Sequence, residues 1–186
     1  INVFDGATRF FRGKRMDGNW ESPFNPLAVG RAYTEATAWQ YRFFVPHDVN
    51  GMIQLFGGKE EFVAALDDIF NTDAEIHGNL VDITGLIGQY VHGNEPSHHI
   101  AYLYNYVGEP WKTQKMSRRL LNEMYHPTPE GIIGNEDCGQ MSAWYILSSM
   151  GLYSVCPGSN EYVLTTPLFE KVVVHLANGR TLTIPA

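Results

Sequence analysis

Two cysteines in 186 residues, Cys138 and Cys156, are too few for a disulfide framework or an all-cysteine zinc site. The residues between them read as a helix followed by a short return. At about 1.5 Å of rise per residue that path separates the sulfurs too far for bridging, so no bridge is expected. No apolar run approaches the roughly 18 residues that a membrane-spanning helix needs, and the opening Ile1-Asn2-Val3-Phe4-Asp5 has no signal-peptide pattern. An initiator Met is also missing, and a chain that opens with Ile in mid-pattern is expected to be a processed or truncated piece. Charge is scarce: charged residues make up 18% of the chain, below the roughly 25% of typical globular domains. Thirteen Lys plus Arg against twenty Asp plus Glu leave a formal net charge of −7. With no basic run, such a chain has little to neutralise a phosphate backbone, which argues against nucleic acid and anionic membranes as partners. No internal repeat of fixed period is visible.

Apolar and aromatic residues, by contrast, are plentiful. A hydrophobic content of 44% is enough for a sizeable core and excludes intrinsic disorder, and aromatics at 13% suit either sugar and protein contacts or a large aromatic core. Residues 1–26 are punctuated by turn signals, Asp17-Gly18-Asn19-Trp20 and Ser22-Pro23-Phe24-Asn25-Pro26, and are expected to be irregular. A helical pattern runs from Ala28 to about Val45 and stops at Pro46. Asp48 stands at the N-cap of a second helix ending at Gly57-Gly58, and Lys59 to Phe70 is amphipathic, with Phe62, Leu66, Ile69 and Phe70 opposite Glu60, Glu61, Asp67 and Asp68. Residues 71–95 read as loop. Pro96 and Pro110 stand at first helical positions of helices through Tyr106 and Tyr125, and Cys138 to Met150 is apolar almost all round, so a buried helix is expected there. Beyond Gly151, Glu161 to Leu164, Lys171 to Leu176 and Arg180 to Ile184 read as strands, the last two joined by an Asn178-Gly179 hairpin signal. The reading is mainly α, about six helices followed by a small C-terminal β-hairpin and strand unit.

Three segments carry polar residues that a core would not choose. In the first, Glu35 sits among Tyr33, Trp39 and Tyr41; burial beside aromatics would raise its pKa and keep it protonated as a general acid, although an exposed helix glutamate fits the pattern too. In the second, His92-Gly93-Asn94-Glu95-Pro96-Ser97-His98-His99, oxygen donors bunch before a helix. They suit a hard cation such as calcium, with helix capping by Asn94 as the competing account. Adjacent His98 and His99 point about 100° apart on a helix and are not expected to share a metal. The third is Gly134-Asn135-Glu136-Asp137-Cys138-Gly139-Gln140, whose two consecutive acids precede the Trp144-Tyr145 helix. An N-cap role explains one acid but not two.

At these segments the sequence resembles glycoside hydrolase family 92, the calcium-dependent exo-α-mannosidases. The resemblance rests on Asp17-Gly18-Asn19-Trp20, Glu35 with Ala38-Trp39-Gln40-Tyr41, Val45-Pro46-His47-Asp48-Val49, Gly93 to His99, Gly134 to Tyr145, and Leu152-Tyr153 leading to Val155-Cys156-Pro157-Gly158. It implies that residues 1–158 are the C-terminal part of an (α/α)6 toroid, with 159–186 a small β-strand extension packed on it. An N-terminal β-sandwich and the other toroid helices would lie elsewhere in a longer protein. By the same resemblance Glu35 is the general acid and Asp137 the general base. Asn94, Glu95 and Asp137 are ligands of Ca2+, and Trp39, His92 and Glu136 contact substrate. Some members carry Asp where this chain has Asn135, which puts the weight of a base role on Asp137. Ala36-Thr37 follow Glu35 where Gly-Asn is expected.

The implied activity is hydrolysis of terminal α-mannosidic bonds with inversion on mannose-containing glycans, N-glycans among them, in the periplasm or outside the cell. Inversion needs an acid and a base about 6.5–9.5 Å apart across the sugar ring, so the three polar segments are expected to converge. Trp39, Tyr41 or Trp144 is expected to supply an aromatic wall. A calcium-dependent carbohydrate-binding helical module without catalysis would use Asn94, Glu95 and Asp137 but not Glu35, and a purely structural helical domain would use the same polar residues only as caps.

Overall fold

The computed structural model describes residues 2–73, 75–79 and 81–186. Ile1, on which the reading of a truncated start rests, lies outside the described residues, as do Ala74 and Leu80 of the expected 71–95 loop. The chain forms two compact units, one of residues 1–100 with 133–135 and the other of 101–132 with 136–186.

The first unit opens with a short antiparallel ribbon, β1 (Phe4–Asp5) against β2 (Phe10–Phe11). The expected helix from Ala28 to Val45 is not formed: only α1 (Ala38–Tyr41) is helical. Gly30, Arg31 and Glu35 all have positive φ, at 78°, 59° and 54°, and no right-handed helix can pass through them. α2 (Val49–Phe56) follows its caps closely. The Asp48 carboxylate accepts the Gly51 N–H at 2.8 Å, and Gly57, at φ 100°, returns its N–H to the Gln54 and Ile53 carbonyls. α3 (Lys59–Asn71) buries the expected stripe, with Phe62, Leu66 and Ile69 fully shielded and Phe70 nearly so, each contributing roughly 1.5–3 kcal/mol. Within 71–95 the chain forms a second ribbon, β3 (Leu86–Ile87) with β4 (Tyr90–Val91). Its turn residue Gly88 lies against the carbonyls of Ile69 and Phe70, where a Cβ would come within 2.7 Å of backbone, and Gln89 donates its N–H to the Ile69 carbonyl at 2.7 Å. The expected helix from Pro96 is instead a 3-10 turn at Glu95–Ser97 and a 3-10 stretch at Ile100–Val107. Five consecutive residues of that stretch, Ile100 to Tyr104, are buried, so no amphipathic period imposes the wider α-helical turn.

In the second unit α4 (Pro110–Glu123) packs against α5 (Gln140–Ser149). α5 begins at Gln140 rather than Cys138, because Asp137, Cys138 and Gly139 have φ values of 50°, 55° and 97°. Its burial is also one-sided: Met141, Trp144 and Ser148 face the core while Ile146 is 55% exposed. Tyr102 stacks on Tyr153 with ring centroids 4.2 Å apart, and Tyr125 lies parallel to Trp144. Three C-terminal strands form in the expected runs, β6 (Val163–Leu164), β7 (Lys171–His175) and β8 (Thr181–Pro185), with β7 and β8 paired across Asn178-Gly179; β6 pairs instead with β5 (Leu152–Tyr153), a strand the pattern did not show. β6 pairs with β5, so the residues after 158 share their unit with α4 and α5. Both cysteines are free thiols. No helix among the described residues is long and apolar enough to cross a membrane.

Buried histidines impose a pH dependence on the first unit. His99 is fully enclosed and donates its Nε2–H to the Phe43 carbonyl at 2.8 Å; burial pushes its imidazole down from 6.5 to about 4. The unfolded chain therefore gains a proton below about pH 6.5 that the folded chain refuses until near 4. Stability is full above that window and falls as pH drops through it, by up to about 1.4 kcal/mol per pH unit for this group. Urea unfolding between pH 7.5 and 4.5 should show the decline, with a shallower slope in His99→Gln.

Candidate active site

Glu35 is exposed, not buried among aromatics as the sequence led one to expect, because the left-handed turn that breaks the helix also turns its side chain to solvent. A non-glycine residue in that conformation costs about 1–2 kcal/mol and persists only where its surroundings hold it. Two consecutive peptide groups, 35–36 and 36–37, are held here at three points. The Asn94 Nδ2 donates to the Glu35 carbonyl at 3.0 Å and lies 3.5 Å from its carboxylate, and Gly30 N–H donates to the Ala36 carbonyl at 3.0 Å. Thr37 N–H donates to the Gln40 Oε1 at 2.7 Å. Thr37 and Gln40 form a reciprocal capping box for α1, and its Thr-x-x-Gln signature is legible in the sequence although the reading above did not use it.

The contact between Glu35 and Asn94, 59 residues apart, brings the first and second polar segments together as expected. Asn94 is 5% exposed; its amide nitrogen is engaged by Glu35, while its amide oxygen has no hydrogen-bond partner among the described residues. It does not cap the following 3-10 turn by its side chain. An amide oxygen from Asn94 and a carboxylate from the adjacent residue Glu95 are donors of the hard-oxygen kind that calcium takes. No group of three His, Cys, Asp or Glu that could hold a metal forms among the described residues.

The neighbouring histidines are buried and hydrogen-bonded. His92 is completely buried, its Nδ1 hydrogen-bonded to the Tyr90 hydroxyl at 2.9 Å. Burial, reinforced by His98, pushes its imidazole down to about 3. His98 donates to the His92 carbonyl and His99 to that of Phe43, in divergent directions.

In the third segment, Gly134 lies directly against Gly93: at φ 77° a Cβ there would come within 2.5 Å of the Gly93 carbonyl oxygen. Asn135 Nδ2 donates to Asp82 at 3.1 Å, a partner that sequence reasoning missed. The two following acids, in the other unit, behave differently. Glu136 gives its carboxylate to Ser142, accepting the backbone N–H at 3.0 Å and the hydroxyl at 2.8 Å. It therefore does the capping that the sequence offered to Asp137. Asp137 is exposed, left-handed, and makes no side-chain hydrogen bond among the described residues.

Of the three candidate wall aromatics, Trp144 is 1% exposed and belongs to the core. Trp39 is half-buried, edge-on to Phe10 at 5.2 Å, and its indole N–H has no hydrogen-bond partner among the described residues. Tyr41, also half-buried, donates its hydroxyl to the Thr34 carbonyl.

Residues 1–186 match the model of the glycosyl hydrolase family 92 catalytic domain. A protein of Arthroderma benhamiae described as an uncharacterized secreted glycosidase is 34% identical over 191 residues, taking in 96% of this chain and 23% of that protein. The family GH92 α-mannosidase BT3965 of Bacteroides thetaiotaomicron, solved in complex with mannoimidazole, superposes with a TM-score of 0.91 at 41% identity over 99% of this chain and 25% of its own. The family GH92 inverting mannosidase BT2199 of the same species gives 0.85 at 37% identity, over 100% of this chain and 26% of its own. The chain thus spans about a quarter of the length of these relatives. A match that runs from the first residue to the last, through every polar segment described above, places this chain in glycosyl hydrolase family 92.

Proposed function

We propose that this chain is the acid- and base-bearing part of a longer exo-α-mannosidase that hydrolyses terminal α-mannosidic bonds of glycans with inversion and depends on calcium. The observation that carries the reading is the match, over the whole of this chain, to a part of relatives that include one described as an inverting mannosidase. It is supported by the two exposed acids in left-handed backbone, Glu35 and Asp137, neither used as a cap. Secretion or a periplasmic location is proposed from the relative described as secreted.

Glu35 gives its proton to the departing glycosidic oxygen as the C1–O bond breaks. Asp137 takes a proton from the water that bonds to C1 from the opposite face, leaving the sugar inverted. Asn94 and Glu95, with Asp137, would hold the calcium. Asn94 would offer its oxygen while its nitrogen keeps the Glu35 turn in place. Held there, calcium would supply positive charge that polarises the hydroxyls of a bound mannose. Trp39 supplies an apolar face for the sugar C–H surface.

The rest of the catalytic machinery, a β-sandwich and the helices that close an (α/α)6 toroid, is proposed to come from the same longer protein. An open cleft of about 510 Å³ lined by Tyr125, Ile132, Tyr145 and Ile146, two of them exposed isoleucines, fits such a cover. The isolated 186-residue chain should therefore self-associate in light scattering and turn over an aryl α-mannoside poorly. A monodisperse monomer working at ordinary enzyme rates would refute this.

In the full-length enzyme, Asp137→Asn should lower kcat by about 100-fold or more on every substrate, measured by steady-state kinetics; unchanged kcat would remove it as the base. Excess EGTA should abolish activity and added calcium restore it, with zinc a poor substitute because the proposed ligands are oxygens.

A further inference from the structure

Gln40 is 1% exposed and belongs to a segment whose Ala38 and Phe43 have no exposed surface. A leucine or methionine would fill that volume without carrying polar atoms into the core, so the amide must satisfy its own hydrogen bonds there. Both of its ends do so. Oε1 accepts from the Thr37 N–H at 2.7 Å and from the Thr37 hydroxyl at 2.9 Å, and Nε2 donates to the Gln89 carbonyl. Gln89 is equally buried and is fixed in turn: its N–H donates to the Ile69 carbonyl at the end of α3, and its side chain donates to the carbonyls of Asp73 and Glu75.

Resting on the reading of Glu35 as general acid, we infer that Gln40 is a positioning residue for that acid. It reaches Glu35 through Thr37, two residues on, and ties the turn to the C-terminal end of α3. Asn94 holds the same turn from the other side. Without the Gln40 amide, the Thr37 N–H loses its acceptor and the exposed, left-handed Glu35 relaxes towards ordinary backbone, moving its carboxyl off the line to the departing oxygen. The small displacement penalises proton delivery and leaves water activation by Asp137 alone.

That difference separates a positioning role from a merely structural one. The full-length enzyme with calcium is assayed on two substrates: a methyl α-mannoside, whose alkoxide must be protonated to leave, and a 2,4-dinitrophenyl α-mannoside, whose phenolate leaves unaided. Gln40→Met should lower kcat on the first by roughly 10- to 100-fold and on the second by less than about threefold, with KM little changed. Gln40→Glu, which keeps an acceptor for Thr37, should recover part of the loss. Equal losses on both substrates, or none on either, would overturn the assignment. If Gln40→Met does not fold, Gln40→Asn, whose shorter side chain withdraws the oxygen from the Thr37 N–H, decides between the same outcomes. Glu35→Gln is run alongside. If it shows the leaving-group contrast and the Gln40 variants do not, the inference fails and the reading of Glu35 stands; if Glu35→Gln lacks the contrast, both fall.

Discussion

The proposed acid, Glu35, depends on being held in left-handed backbone while its carboxyl stays in water. The carboxyl cannot be anchored by packing, because Glu35 is exposed. The backbone around it is anchored instead, by polar side chains and an amide that reach it from the protein side: Asn94 on its own carbonyl, Gly30 on the next, and Gln40 on the amide after that. Two successive peptide groups fixed by three hydrogen bonds outweigh a conformational cost of about 1–2 kcal/mol. The carboxyl stays free for chemistry, and its geometry is set by groups that need not touch substrate.

Those buried amides also tie the turn to the apolar core. Gln89 carries the connection to the end of α3, whose Phe62, Leu66 and Ile69 are the best-buried stripe of the first unit. Phe43 and Phe56 stack beside them, and Arg42, 6% exposed, lies over the rings of Phe10 and Phe56 while donating to the Arg9 carbonyl. Burial pushes the Arg42 guanidinium down to about 10, which leaves it charged at neutral pH and attracted to the ring faces. Polar groups in this core are thus matched to carbonyls and aromatic faces, the condition under which they rigidify it.

How much of this was legible in the sequence follows from which residues carry their structure locally. α2 and α3 could be read nearly to the residue because Asp48, Gly57 and the Phe62–Phe70 stripe state their own roles. The β7–β8 turn was written in Asn178-Gly179. The 28–45 segment was misread because its helix is broken by Arg31 and Glu35, whose side chains give no hint of positive φ. Such a conformation is imposed by partners such as Asn94, far away in sequence. The 3-10 stretch after His99 was missed for a related reason, since residues buried on every side leave no period to read. Glu35 and Asp137 stood out mainly through resemblance. The exposure of Glu35 and the engagement of Gln40 and Gln89 needed three dimensions.

The paired acids at the start of α5 show what the sequence left ambiguous. One acid before a helix is accounted for by the helix alone, and Glu136 is that acid, reaching forward to the Ser142 amide and hydroxyl. Three successive left-handed residues, Asp137, Cys138 and Gly139, then delay the first helical turn, and the backbone carbonyls of Glu136 and Asp137 accept the N–H groups of Met141 and Gln140. The helix start is thereby satisfied without the Asp137 side chain. Left-handed backbone at two non-glycine residues in a row is costly, and a helix that only needed a cap would start from a Ser, Asp or Asn in extended backbone. What the costlier arrangement achieves is an exposed carboxylate with no structural duty, the state that the proposed role of general base requires before substrate arrives.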